Sequence, residues 1–318
     1  MRQHIVPFGL LLLFYTPLRG ECVAKQIPLG SFLGKSGVLH VLCKLSSLRR
    51  MRVDYNRTMN PFLVRSIAYL SLFACMLFFE AKHPFARSMQ NKAFRVVFHS
   101  GLSVLNSLIL YLVLFSPLYA AARFTQVHAF GFVSTLGLRG WTEVLVTLVV
   151  FDCWDYWMHR ANHRIGLLWR FHKTHHSDME IDVTTASRFH IGELLITNSI
   201  KGTLILLWGP SLLGIVTFET FLTAASQFHH SNLDIPFSSQ DRLEKVIVTP
   251  RMHRCHHVFE GRCQVSNYAT VFTVWDRLFG TYHWAEKTAE LEPIGVSRPR
   301  GPETMKFIPL LLTPIQKS

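Results

Sequence analysis

Two short stretches carry the same beat of histidines. WRFHKTHHSD (169–178) places them at 172, 175 and 176, and TPRMHRCHHVFEGR (249–262) places them at 253, 256 and 257. Positions i, i+3 and i+4 share one face of a helix, so each triplet presents several imidazoles to one region. Neutral imidazole is the commonest transition-metal ligand. Three more groups lie in the same half of the chain: HRANH (159–163), the lone His190, and the pair His229–His230. A single histidine is ordinarily a surface group or a hydrogen-bonded core residue, and His4, His40, His83, His99 and His128 are read that way. The clustered set is different. Without a metal, that many imidazoles on helical faces would repel one another on protonation.

A structural zinc site needs four ligands, often cysteines. The clusters offer about twice that supply, all nitrogen, which fits two metals. Soluble di-iron bundles use glutamates with Glu-x-x-His motifs; here histidines stand where carboxylates would. Imidazole suits iron, zinc, copper and nickel alike. The setting favours iron, because a metal pair beside apolar helices suits oxidation of a lipid chain. Asp155 lies four residues before His159, where a carboxylate can orient a ligand histidine. The chain shows no serine or cysteine nucleophile motif and no glycine-rich phosphate loop.

The elements that must position these groups are apolar. The 318 residues are 49% hydrophobic and only 17% charged, with a net charge of +13. A basic balance fits either nucleic acid or a membrane protein facing anionic headgroups; the long apolar runs favour the membrane. Spans are expected over 62–79, 101–122 and 141–158. In the third, Asp152, Asp155, His159 and His163 form one stripe. The runs 194–208 and 211–228 flank Gly209-Pro210 and read as a helical hairpin that either crosses or dips in and returns. Lys201 and Glu219 would reach similar depth in it, so a buried Lys201–Glu219 pair is expected. The basic loop 81–98 reads as cytoplasmic, which puts the histidines on that side. The basic segment 44–57 argues weakly the other way.

The six cysteines (22, 43, 75, 153, 255, 263) show no CxxC pair or even framework and are read as reduced, with Cys255 a bystander. Residues 1–58 are expected to be an N-terminal extension or signal-like segment, with Met51 and Met59 as alternative starts. Residues 59–287 read as the membrane-embedded catalytic domain, and 288–318 as a C-terminal tail too short and proline-broken to span.

The order His-x3-His (159, 163), His-x2-His-His (172, 175, 176), His-His-Ser-Asn (229–232) and His-x2-His-His (253, 256, 257) resembles the fatty acid hydroxylase / sterol desaturase superfamily. NYATVFTVWDRLFGTY (267–282) is similar to that family's closing segment, and LWRFHKTHHS and TTASRFH are similar to its bacterial members. The resemblance covers roughly 62–285. It implies an all-α integral membrane bundle, three spans plus the re-entrant or spanning hairpin, with a cytosolic histidine-rich cap. It also implies a non-haem centre of two iron ions that activates O2, with electrons from NAD(P)H through cytochrome b5, ferredoxin or a reductase. The metal ligands it implies are His159, His163, His172, His175, His176, His230, His253, His256 and His257. His229 and His190 are second choices, Asn267 is a further candidate near the ligands, and Trp275 and Asp276 read as packing and a helix cap.

The expected protein is a multi-pass membrane oxidoreductase that hydroxylates or desaturates a fatty acyl or sterol-like lipid in lipid biosynthesis. Its partners are a lipid substrate, an electron-donor protein and the membrane, in a bacterial inner membrane or an endoplasmic reticulum, and no nucleic acid. The rival reading is a metal-binding membrane protein without redox chemistry, a transporter or a structural zinc protein. A transporter should place ionisable groups along several spans. The run 101–122 has none, and the histidines lie at one edge.

Overall fold

The computed structural model describes residues 61–88, 90–259, 261–284 and 293–316. The expectations for 1–58, including the alternative starts, His4, His40, Cys22 and Cys43, lie outside the described residues. The chain divides into Met1–Val64 and a compact unit, Arg65–Ser318. Among the described residues the secondary structure is helical. β pairing is limited to the isolated bridges Pro84–Leu233, Ile247–Phe272 and Val258–Ile294.

The long helices are α1 (Pro61–Lys82), α2 (Lys92–His128), α4 (Gly140–Arg164), α6 (Ile191–Trp208) and α7 (Leu212–His229), with a short α3 (Phe132–Thr135) between α2 and α4. α1, α2, α6 and α7 are largely apolar, whereas α4 carries Asp152, Asp155 and a histidine-bearing, basic C-terminal end. Two stretches are long and apolar enough to cross a membrane, Lys92–Phe115 and Ile191–Trp208. A third counts if Pro117–Thr135 and Gly140–Arg164, bent by 77°, act as one broken span. The expected run 62–79 falls within α1 and 141–158 within α4. The run 101–122 differs from expectation: α2 continues for 37 residues through Pro117, and its spanning stretch starts nine residues earlier, at Lys92.

α6 and α7 form the hairpin. Gly209 ends α6 at φ +72, and a Cβ there would clash with the Phe130 carbonyl oxygen. Only glycine fits both conditions. Ser211 then caps α7 by accepting from the Gly214 N–H. Across the hairpin, Lys201 Nζ lies 2.7 Å from Glu219, whose other oxygen is 3.2 Å from Arg65. Phe151, Ile205, Trp208 and Phe218 pack a buried apolar core between these helices.

The remaining helices, two of which carry the histidine triplets, form a further layer. They are α5 (Gly166–His176), α8 (Phe237–Leu243), α9 (Pro250–His256), α10 (Val274–Leu278) and α11 (Phe307–Leu311). A second core of Tyr156, Val248, Met252, Tyr268 and Ala269 joins α4 to α9 and the closing segment. The described part of the C-terminal stretch packs against this layer. The carbonyls of Thr304, Leu311 and Gln316 accept from Arg188, His190 and Lys173.

Candidate metal centre

Each histidine is delivered by a local break in helix. α4 ends at Arg164 with His159 and His163 one turn apart; Ile165 is extended (φ −99, ψ 112), and α5 restarts at Gly166 in a new direction. His172, His175 and His176 on α5 are thereby folded back towards α4. His229 ends α7 and His230 caps it. Thr249 caps α9 by accepting from the Met252 N–H, and Pro250 occupies its first turn, where the missing N–H costs nothing. That start sets His253 and His256 in the helix and His257 at its C-cap.

The nine histidines assemble into two groups. His159, His163, His172, His176 and His256 form one, and His175, His230, His253 and His257 the other; within each, one ring nitrogen per residue lies within 4.8 Å of all the rest. The two triplets are shared crosswise. The i, i+4 pair His172/His176 joins the first group and His175 the second. The i, i+4 pair His253/His257 joins the second group and His256 the first.

The nitrogens fit a metal better than they fit each other. The Nε2–Nε2 separations are 2.9 Å for His253–His230 and 3.1 Å for His256–His159, His230–His175 and His257–His253. Two ligands at right angles about 2.1 Å from a metal sit about 3.0 Å apart. The Nε2 atoms of His163, His172 and His176 are buried with no hydrogen-bond partner, a costly state for lone pairs unless a cation takes them.

Five of the nine rings are held at the opposite edge. Nδ1 of His159 donates to the Tyr268 carbonyl, His230 to Ser226 and His256 to Ser266, each at 2.7 Å. His175 donates to the Arg188 carbonyl at 3.1 Å and His172 to the Glu193 carboxylate at 2.7 Å. Such contacts fix the tautomer and free Nε2 for a metal. Burial, followed by neighbouring imidazoles, pushes the pKa of His175, His176, His253 and His257 well below the usual histidine value. Burial lowers His256 to about 3 and His230 to about 4. These six rings are therefore neutral at pH 7, the form a metal binds.

Several expectations are corrected here. Asp155 accepts from the Thr270 hydroxyl at 2.6 Å and orients no ligand. Asp152 takes the N–H groups of Val271 and Phe272 and the Trp275 indole, so it anchors the closing segment to α4. The carboxylate that faces a ligand is Glu193, which also accepts from Asn162. The signal for it was its place three residues after His190, in the first turn of an otherwise apolar helix. His190 lies outside both groups: its Nδ1 accepts from the Gly192 N–H and its Nε2 donates to the Leu311 carbonyl. His229 packs 4.0 Å from the His253 ring but belongs to neither group. Asn267 sits at φ +57 and bonds the Met252 and His283 carbonyls, so it shapes the turn before Tyr268. Asp276 accepts from the Tyr268 and Ala269 N–H groups, holding that same turn. Cys255 and Cys263 are not free: they form a disulfide, with Cα atoms 5.0 Å apart. The turn after α9 folds back on the helix, a closure that an eight-residue spacing does not announce.

Residues 144–281, the stretch that holds both histidine groups, match the family model for fatty acid hydroxylase. Over that stretch the chain resembles a fatty acid hydroxylase domain. Alkylglycerol monooxygenase of Danio rerio is 33% identical over 144 residues, which cover 45% of this chain and 30% of that protein. Ornithine lipid hydroxylase OlsE of Rhizobium tropici is 28% identical over 227 residues, covering 69% of this chain and 66% of that protein. Methylsterol monooxygenase 1-3 of Arabidopsis thaliana is 30% identical over half of this chain and 55% of its own length. The chain thus spans about a third of the length of the alkylglycerol monooxygenases it matches. No solved structure matches it.

Proposed function

We propose that the chain is a membrane oxygenase that uses two iron ions, bound by the nine histidines, to hydroxylate or desaturate a lipid chain or sterol-like substrate with O2. The observation that carries this reading is the pair of converging histidine groups, with the Nε2 atoms of His163, His172 and His176 buried without a partner, set beside helices apolar enough to enter a membrane. The relatives support lipid oxidation as the class of reaction. His159, His163, His172, His176 and His256 would hold one iron; His175, His230, His253 and His257 would hold the other. Bound iron supplies redox chemistry with O2, which no side chain can provide. The chain's own part is to aim His159, His230, His256, His175 and His172 through the Tyr268, Ser226, Ser266 and Arg188 carbonyls and Glu193. The buried core of α4, α6 and α7 excludes water from the metal side. Electrons come from NAD(P)H through cytochrome b5, ferredoxin or a reductase. The histidine layer faces the cytoplasm, and residues 59–287 are the catalytic domain.

The test is metal content and Mössbauer spectra of chain purified anaerobically from cells grown on iron-57. Two coupled, redox-active irons per chain are expected. Zinc alone, or no metal after iron reconstitution, would overturn the reading.

A further inference from the structure

Cys255 lies on α9 between His253 and His256 and is buried, while its disulfide partner Cys263 is half-buried in the turn that follows. Cys263 opens a one-turn 3-10 helix, and its carbonyl accepts from both the N–H and the hydroxyl of Ser266. Ser266 in turn offers its carbonyl to His256 Nδ1 at 2.7 Å. Two residues further on, the Tyr268 carbonyl takes His159 Nδ1 at 2.7 Å. The disulfide therefore ties α9 to the segment whose two carbonyls aim two histidines, and both belong to the five-histidine group. The four-histidine group takes its carbonyls from Ser226 and Arg188, which lie elsewhere.

Resting on the two-metal reading above, we propose that Cys255 and Cys263 are positioning residues whose thiol–disulfide state controls how tightly the five-histidine site holds its metal. With the bond closed, Ser266 and Tyr268 are clamped against His256 and His159. A dithiol reductant attacks Cys263 Sγ, the more accessible sulfur. The S–S bond breaks, and Cys255 leaves as a thiolate and takes up a proton. The reductant's second thiolate then displaces the Cys263 thiolate, which is protonated in turn, and the reductant departs as its own disulfide. Two electrons and two protons thus pass from the dithiol to the pair. The opened turn then releases the two carbonyls, and the five-histidine site slackens while the four-histidine site keeps its supports. In a reducing compartment disulfides are typically transient and redox-sensing, which fits control of an enzyme that itself consumes reductant and O2.

The experiment uses the full chain in detergent, loaded anaerobically with ferrous iron, with and without a water-soluble phosphine that reduces disulfides. Iron stays ferrous in both arms, so only the thiols change. Trypsin cuts after Arg254 and Arg262, so a closed bond joins two peptides that mass spectrometry sees linked before reduction and separate after it. Iron release to a chromogenic chelator is then followed. Expected is release of one iron of the two about tenfold faster or more after reduction, the size of effect typical for losing outer-shell partners of a metal ligand. Cys255→Ser/Cys263→Ser should show the fast phase with or without phosphine, and its retained second iron would show that it is folded. If that variant fails to fold, the two arms of the unaltered chain decide alone. Equal release in both thiol states, acceleration of both irons together, or unlinked peptides in the oxidised chain would overturn the proposal. So would a third iron bound on reduction, which would instead assign Cys255, Cys263 and the nearby His283 to a metal. A chain that binds two irons and releases them at the same rates in both thiol states leaves the oxygenase reading standing and sinks only this one; a chain that binds none sinks both.

Discussion

Replacing Glu193 with glutamine separates metal binding from folding, because the two should move in opposite directions. The Glu193 carboxylate accepts from His172 Nδ1 at 2.7 Å and from Asn162 at 3.2 Å, and its second oxygen is buried without a partner. Glutamine can keep one acceptor oxygen for His172 but withdraws the negative charge behind the ring. Loss of such an outer-shell carboxylate costs about 10–100-fold in metal affinity, or about 1.4–2.8 kcal/mol. The effect should fall on the five-histidine site alone, since His172 belongs to it and Glu193 makes no hydrogen bond to the other group. For the metal-free fold the sign reverses. An orphaned buried carboxylate oxygen costs on the order of 1–3 kcal/mol, and an amide is cheaper to bury, so E193Q should leave the apo melting temperature unchanged or raised. The assay is stepwise competition with a calibrated chelator, beside thermal melts of metal-free chain. Equal weakening of both metals, or a lower apo melting temperature with unchanged affinity, would show that Glu193 is a packing residue and refute the reasoning.

Removing Glu219 should destabilise more than removing Lys201, because Glu219 keeps Arg65 at 3.2 Å when Lys201 is gone, whereas Lys201 without Glu219 loses its ion-pair partner and keeps the weaker contacts with the Trp154 and Phe218 rings. Breaking a buried pair costs about 3–5 kcal/mol, so Glu219→Leu should approach that figure and Lys201→Met fall well short; chemical unfolding in micelles reads both. Metal-free chain should lose stability as pH falls from about 6.5 towards 4. His230 (about 4) and His256 (about 3) stay neutral in the fold but are protonated in the unfolded chain. Each then costs about 1.4 kcal/mol per pH unit across that window, and a flat melting temperature from pH 7.5 to 5 would contradict it. Gly209→Ala should cost more than about 1 kcal/mol through both its positive φ and its contact with Phe130; an unchanged melting temperature would argue against the tight α6–α7 turn.

Helical periodicity made the convergence of the histidines legible, because His-x2-His-His puts its imidazoles on one face. The apolar runs and the Gly209-Pro210 turn were legible for the same reason: lipid admits few alternatives to continuous helix. The Lys201–Glu219 pair followed from depth matching across that turn. What sequence could not carry was the direction of side chains that stand on a helix but answer to another element. Asp155 is correctly spaced for His159, yet Thr270 arrives from 115 residues away and takes it. Glu193 reaches His172 only because α6 packs beside α5. The Cys255–Cys263 bond depends on how the turn after α9 closes, and no local pattern fixes that closure.

The crosswise sharing of the triplets answers why the same spacing occurs twice. Residues i and i+4 lie about 40° apart around a helix and i+3 about 60° to the other side of i. One triplet thus reaches two neighbouring points with a pair and a single ligand. α5 gives its pair to the five-histidine group and His175 to the other; α9 gives its pair to the four-histidine group and His256 to the other. Had both helices sent their pairs to one point, the other would have only His175 and His256 from them. Opposed assignment gives each point three ligands from α5 and α9 together. The rest come from α4, as His159 and His163, and from His230 at the end of α7. Each metal would then be held by both triplets, so neither half of the layer could shift without moving both centres. The break at Ile165 and the cap at Thr249, which aim α5 and α9 at each other, are as much part of the site as the imidazoles.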